Sequence, residues 1–367
     1  MERRNSLGGK SEIITQKIGI RADANDTIAT GHIMRCITIA RQLISAGCEV
    51  IFFTADEYGG KLLAQADMPY VCLHTEWNHM EAETETLCEE LVKANCQKLL
   101  VDSYYVTEKY FQTLSHLCQL IYIDDCFENI YPVDMLINYN AYHIRFPYQE
   151  TYAGRTRLLL GTQYVPLREE FGDAACTNDV LHNNNGAQTA AGTHILLSSG
   201  GGDPCNALVG IMETVTQDET FKDVTFDVVV GRFNRYEEEL KRLANIHPNI
   251  CLHEYVAHMA QLMSGCTAAV SAAGTTLFEL CATQTPTVFF ASADNQQYDH
   301  EFFSQEERML YAGDIRENRV QCLHDICSGL KRIISDEALR DKMKRKLYEV
   351  TDGRGAYRIA EEIIRLN

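Results

Sequence analysis

Short apolar runs alternate with longer amphipathic segments along most of the chain. Residues 17–21 read as a brief apolar strand, followed by a loop rich in Asp, Asn and Thr. Between 31 and 46, Ile33, Ile37, Ala40 and Ile44 recur at helical spacing, and Gly47 closes the segment. Further strand-like runs fall at 49–54, 70–73, 98–102, 120–124, 134–138 and 157–160. Helical patterns lie between them, up to about 66, at 80–95 and at 107–117. Residues 173–192, small and polar with an Asn run, break the alternation; such a composition buries no core and reads as a linker or flexible loop. The pattern then resumes, with strands at 194–199, 224–230, 250–255, 268–271 and 287–290. Helices are expected to start near 206, 236, 256, 274 and 296, and three more cover 321–335, 337–348 and 356–364.

This β-α-β order predicts an α/β fold with mostly parallel sheets and helices on both faces. A chain of 367 residues is too long for one ordinary core and suits two. The expected division is a flexible extension at 1–17, a Rossmann-like domain at 18–172, the linker at 173–192, a second Rossmann-like domain at 193–350 and a final helical segment at 351–367. Two such units in tandem leave a cleft between them. Ligands of open α/β sheets sit beyond the carboxyl ends of the strands, and clefts between domains are common pockets.

Composition narrows the functions. A formal charge of -18 and a pI near 5.1 disfavour nucleic acid and anionic membrane surfaces, while leaving room for a local cationic pocket. The most basic run, 340–346, reads as a solvated helical face. The fourteen cysteines form no C-x-x-C and no Cys/His ligand cluster; several, among them Cys48, Cys72, Cys251 and Cys281, sit in apolar runs and read as small buried hydrophobes. A disulfide framework is not expected, and a reducing cytoplasm fits best. Residues 1–17 lack the apolar core of a signal peptide, and no run has the length of a membrane span. The expected form is a monomer without a cofactor.

Four strand-to-helix turns carry candidate chemistry. The first, R-A-D-A-N-D-T-I-A-T-G-H-I-M-R at 21–35, holds Arg21, Asp23, Gly31, His32 and Arg35. Gly31 permits close backbone approach. His32 then falls in the first turn of a helix, whose positive end favours the neutral ring that a general base needs. Arg35 follows three residues later on the same face and suits a phosphate or an acid. A capping His beside a solvated Arg explains this segment equally well. The second turn, S-S-G-G-G-D-P-C-N at 198–206, offers Gly201, Gly202 and Asp203 to a phosphate; a tight turn with Pro204 near the helix start explains it too. It matches neither the Walker nor the dinucleotide pattern. The third, S-A-A-G-T-T-L-F-E-L at 271–280, presents Ser271, Gly274, Thr275 and Thr276 as anion donors. One turn later, the Glu279 carboxylate can take both hydroxyls of a ribose. The fourth, at 286–297, brings Asn295 and Gln296 to the expected cleft edge. Three of the four turns lie in the second half. That points to a nucleotide there and chemistry from the first half.

Together these blocks resemble one family. R-A-D-A with G-H-I-M-R-C, V-D-S-Y at 101–104, I-D-D at 123–125, L-L-G-T-Q-Y-V-P-L-R-E-E-F at 159–171, G-G-G-D, S-A-A-G-T-T-L-F-E-L and D-N-Q appear in that order. The chain is similar, over roughly 18–350, to the UDP-2,4-diacetamido-2,4,6-trideoxy-β-L-altropyranose hydrolases of pseudaminic acid synthesis. The resemblance implies a two-domain GT-B fold like that of MurG, with UDP held by the second domain and the last helix returning to the first. It implies that His32 activates water against the anomeric carbon, that UDP leaves, and that configuration inverts. Tyr104 matches a tyrosine of the sugar pocket, Asn295 an asparagine near the reacting centre, and Arg168 and Glu279 substrate-binding positions. The product, UDP aside, would feed nonulosonic acid synthesis for surface glycans such as those on flagellin. Ser103 departs from the pattern, standing where many members carry histidine.

No metal is expected, since UDP is a good leaving group and no D-x-D follows a strand. Asp124 and Asp125 read as a carboxylate pair that orients His32 or the sugar, with metal binding as the alternative. Three rival functions stay open: a UDP-sugar glycosyltransferase of the MurG-like class, a hydrolysing UDP-sugar 2-epimerase, and a non-catalytic nucleotide-sugar-binding protein.

Overall fold

The computed structural model describes residues 16–28, 30–172, 192–254, 256–293, 296 and 298–366. Most of the 1–17 extension, the 173–192 linker apart from Gly192, and Asn295 lie outside the described residues.

In the first half, seven strands pair in parallel: β1 (Lys17–Ala22), β2 (Glu49–Thr54), β3 (Tyr70–Cys72), β4 (Lys98–Asp102), β5 (Gln119–Ile123), β6 (Met135–Asn138) and β7 (Arg157–Leu160). Their order is β3-β2-β1-β4-β5-β6-β7, so the chain steps outward from β1, then returns and steps the other way from β4. The helices joining them are α1 (Gly31–Ser45), α2 (Glu57–Gln65), α3 (Met80–Ala94), α4 (Glu108–Leu114) and α5 (Tyr148–Thr151).

The second half repeats the plan. Strands β8 (Thr193–Ser198), β9 (Val224–Val229), β10 (Ile250–His253), β11 (Ala268–Ala272), β12 (Thr287–Ala291) and β13 (Leu310–Asp314) form a parallel sheet ordered β10-β9-β8-β11-β12-β13. Its helices are α6 (Ala207–Thr216), α7 (Glu237–Ile246), α8 (Met259–Gly265), α9 (Thr275–Ala282), α10 (Asp299–Ser304), α11 (Arg319–Ser335) and α12 (Glu337–Tyr348). Both halves are therefore doubly wound α/β units, the class that the alternation predicts.

Side chains alternate across a strand, so each sheet feeds two apolar layers. In β4, Leu100 faces the layer shared with α1, while Leu99 and Val101 face the opposite layer with Phe111 and Tyr122. The α1 layer runs on without a break into Leu196, Leu277 and Phe289 of the second half. An apolar seam thus joins the two units behind the cleft.

The last helix, α13 (Gly355–Arg365), buries Ala356, Ile359, Ala360 and Ile363 along one face and lies against α1. Its final carbonyls are held from the first sheet: Lys98 Nζ donates to the oxygens of Ile363 (2.6 Å) and Ile364 (3.1 Å). A cation at a helix C-terminus also complements the dipole.

Some local expectations fail. The helix expected from 296 is only the short α10, and β13 follows it unannounced, because L-Y-A-G-D is brief and carries Gly313 at φ +101°. Ile44 is 43 % exposed and lies off the buried stripe of α1. Cys251, read as buried, is exposed on the edge strand β10. Every cysteine among the described residues is free.

The start of α13 has no room for a side chain. A Cβ on Gly355 would sit 2.1 Å from the carbonyl oxygen of Val165. Gly355→Ala should therefore destabilise the protein by about 1–3 kcal/mol, the usual cost of overpacking. An unchanged denaturant midpoint would show that α13 does not dock as described.

Candidate active site

The site begins where β1 and β4 lie side by side. Ala22 pairs with Asp102, so the strand before α1 ends beside the last residue of β4. Helix α1 then starts at Gly31, and its second residue, His32, meets that carboxylate: Nδ1 lies 2.7 Å from Asp102 Oδ1. Arg35, one turn on, grips the same group with Nε to Oδ2 (2.5 Å) and Nη2 to Oδ1 (2.5 Å). Burial works against the Asp102 charge, but Arg35 and His32 outweigh it and hold the carboxyl well below its ordinary value. An ionised carboxylate only accepts hydrogen bonds. The proton between it and the ring therefore belongs to Nδ1, so that in the neutral ring Nε2 is the accepting nitrogen. Among the described residues no group hydrogen-bonds Nε2, and His32, 8 % exposed, lines the cleft.

Arg35 links this pair to a second carboxylate. Its Nη1 donates to Asp125 Oδ2 (2.8 Å) and to the Tyr139 hydroxyl (2.5 Å). Burial opposes the guanidinium charge, and Asp102 and Asp125 more than compensate, so its pKa lies well above the ordinary value. Tyr104 donates to Asp125 Oδ2 (3.0 Å), and Asn140 Nδ2 donates to Asp125 Oδ1 (2.9 Å). The Tyr104 ring stands edge-on to His32 at 4.8 Å between centroids. Burial and then Asp125 push its phenol up, so Tyr104 remains a neutral donor.

Two chambers open between the halves. The first, about 290 Å³, holds His32, Arg35, Tyr104 and Asp125 on one wall and Gly274, Thr275, Gln296 and Asp299 on the other. The second, about 280 Å³, is bounded by Arg168, Thr276 and Glu279 and shares Gly31, Arg35 and Thr275 with the first. Gly274 adopts φ +130° just before α9, a conformation that favours glycine, and the start of that helix, Gly274 and Thr275, lines the first chamber. Burial pushes the Glu279 carboxyl up while Arg168, 3.5 Å away, pulls it back.

Residues 195–362 match the model of the glycosyltransferase family 28 C-terminal domain. An uncharacterized protein of Methanocaldococcus jannaschii is 22% identical over 312 residues, covering 82% of this chain and 61% of that protein. The spore coat polysaccharide biosynthesis protein SpsG of Bacillus subtilis is 24% identical over 206 residues, covering 56% of this chain and 58% of that one. The chain thus spans about 60% of the length of the curated relatives it matches. The crystal structure of Acinetobacter baumannii MurG superposes with a TM-score of 0.67 at 14% identity, over 95% of this chain and 99% of that one. This is the GT-B fold.

In this GT-B chain, the expected site residues divide into three groups. Gly31, His32, Arg35, Tyr104, Gly274, Thr275 and Gln296 meet in the first chamber, and Arg168, Thr276 and Glu279 border the second. Gln296 is oriented by Ser292, whose N–H and hydroxyl both donate to its Oε1. Asn295 lies outside the described residues.

The other expected contacts point elsewhere. Arg21 is fully buried and bonded to Glu83 by Nε and Nη2 (both 2.7 Å) and to Asp23 by Nη1 (2.5 Å). It is an internal ion-pair residue rather than a ligand group. Asp23 also accepts from the N–H of Ala55 (2.8 Å) and so ties β1 to the end of β2. Asp203 is spent on the N–H groups of Ala207 and Leu208 at the start of α6. Ser271 is buried and donates to the carbonyl of Ala272. Gly201 and Gly202 line neither chamber; the turn before them is packed against Gly231, where a Cβ would lie 2.4 Å from the Gly200 oxygen. The Asp124–Asp125 pair also splits. Asp124 turns away to accept from the N–H groups of Cys126 and Phe127, while only Asp125 reaches the site, and neither holds His32.

Asp102, Tyr139, Asn140, Tyr142 and Asp299 escape the sequence reading. The V-D-S-Y block did mark 101–104, but the pairing of β4 with β1 is what puts Asp102 under His32. Among the described residues, Glu57, Cys72 and His74 form the group that could hold a metal ion; none of them lines the cleft. No helix among the described residues is long and apolar enough to cross a membrane.

Glu83→Ala would strand the Arg21 guanidinium, leaving Asp23 as its remaining carboxylate. It should cost about 3–5 kcal/mol, read as a fall in the denaturant midpoint. An unchanged midpoint would show that Arg21 does not depend on Glu83.

Proposed function

We propose that the chain hydrolyses UDP-2,4-diacetamido-2,4,6-trideoxy-β-L-altropyranose to UDP and the free sugar. The observation that carries this reading is His32: its Nδ1 is held on Asp102, and the residue lines a chamber shared by both halves. A ring so held has the tautomer and orientation of a general base. The resemblance of the sequence blocks supplies the substrate class. A relative named for spore coat polysaccharide biosynthesis is consistent with a role in making surface sugars.

In the proposed step, Nε2 takes a proton from a water as its oxygen attacks the anomeric carbon. The bond from that carbon to the phosphate oxygen breaks, and its electron pair leaves with UDP. Attack from the face opposite UDP inverts the centre. The pyrophosphate lies between the first turns of α1 and α9, where the amides near Gly31, Gly274 and Thr275 stabilise the growing charge. Glu279 takes the ribose hydroxyls, and Arg168 fixes Glu279. Tyr104 and Asn295 contact the sugar.

Purified protein given this substrate should release UDP and free sugar without an acceptor and with EDTA present. His32→Ala should cut kcat by about 10² or more with UDP affinity nearly intact; an unchanged rate would remove His32 from the chemistry. Asp102→Asn removes the charge that holds both His32 and Arg35. It should also lower kcat by about 10² or more, and full activity would show that the ring needs no such partner.

The match to a glycosyltransferase domain favours a second reading, transfer of the sugar to an acceptor. UDP release that depends strictly on an added acceptor would establish it. An epimerase would return an isomer of the sugar, and a binding protein would return none.

A further inference from the structure

Asp299 lines the first chamber from the second half and is 5 % exposed, yet no described residue hydrogen-bonds its carboxyl. Every other acid of the site is engaged. Asp102 is held by His32 and Arg35, and Asp125 by Arg35, Tyr104 and Asn140. Burial, and then the charge of Asp125 facing it, push the Asp299 carboxyl up to about 7. Below about pH 7 such a carboxyl carries its proton and acts as a hydrogen-bond donor.

Asp125 has a complementary gap. An ionised carboxylate offers about four in-plane acceptor positions. Oδ2 receives Arg35 and Tyr104, and Oδ1 receives Asn140, so one position on Oδ1 stays open. The chamber therefore presents a donor on the wall of the second half and an acceptor on the wall of the first. A secondary amide carries both complements, a C=O that accepts and an N–H that donates.

We propose that Asp299 is a substrate-binding residue that donates its carboxyl proton, as a hydrogen bond, to the carbonyl oxygen of an acylamino group on the sugar, while the N–H of that group meets Asp125. This rests on the UDP-sugar reading above and assigns it the residue that recognises the acylated nitrogen. A hydroxyl at the same carbon lacks the carbonyl oxygen that would accept from Asp299, so selectivity for acylamino sugars over their hydroxyl counterparts follows.

The test is equilibrium calorimetry in the His32→Ala background, which prevents turnover. UDP, the UDP-diacetamido sugar, and a UDP-6-deoxyhexose with hydroxyls in place of the acetamido groups are titrated into that protein, alone and with Asp299→Asn or Asp299→Ala. Asp299→Asn keeps a donor and should hold affinity for the diacetamido sugar within about threefold, whereas Asp299→Ala should lose about tenfold or more. UDP itself should bind all three proteins alike, which checks the fold. The hydroxyl sugar should bind more weakly than the diacetamido sugar, and Asp299→Ala should not weaken it further. Equal losses in Asn and Ala would show that the anion, not the acid, is needed and would overturn the proposal, as would undiminished sugar affinity in Asp299→Ala. Should Asp299→Ala fail to fold, equal binding of the two sugars by the Asp299 protein would overturn it as well. If the diacetamido sugar binds no better than UDP in any protein, the substrate reading fails, and this assignment fails with it.

Discussion

One buried carboxylate organises the site. Asp102 accepts from the His32 ring and from two nitrogens of Arg35, and through Arg35 it is coupled to Asp125, Tyr104 and Tyr139. An ion taken out of water is tolerated only when paired and hydrogen-bonded. Here both carboxylates and the guanidinium satisfy one another. Asp102 is also the last residue of β4, so its position is set by the register of a fully paired parallel strand. The imidazole thus inherits the rigidity of the sheet, which suits a group that must hold its aim toward an incoming atom.

The architecture explains why the ligand space lies between the halves. Each sheet reverses its strand order once, between β1 and β4 and between β8 and β11. Chain segments leave those points in opposite directions and open a crevice at the carboxyl ends of the strands. The two crevices face each other across the chambers. The first half contributes charged and aromatic side chains, and the second contributes the glycine turn and hydroxyls at α9. The shared apolar seam and α13 hold the halves together behind the opening, which leaves the front of the cleft open.

Arg21 and Arg35 show the limit of motif reading. Both stand in one stretch of fifteen residues, 21–35, and either could be assigned to a phosphate. Arg35 projects from α1 into the cleft, while Arg21 points inward from β1 to Glu83 on α3. Helix α3 is acidic along its sequence, yet Glu83 is fully buried because Arg21 comes to meet it. Asp203 and Ser271 are taken up by the backbone for a related reason. Short polar side chains beside a helix start are as readily taken up by the backbone as by a substrate. Glycine turns carry the same ambiguity, since Gly274 opens onto the cleft and the 200–202 turn is packed against Gly231.

The sequence by itself determined what depends on near neighbours along the chain. Periodicity settles the alternation of strands and helices, and through it the two α/β units. The end of β1 and the start of α1 place His32 in a first helical turn. Long-range pairing decided the rest. Asp102, Asp125 and Asn140 lie 70, 93 and 108 residues beyond His32, and no local pattern relates them to it. They converge because β4, β5 and β6 stack in register beside β1, and because Arg35 is long enough to reach two strands at once. Asp299 comes from the other half altogether, in a helix too short to announce itself, and its lack of a hydrogen-bond partner among the described residues is visible only when both walls of the chamber are seen together.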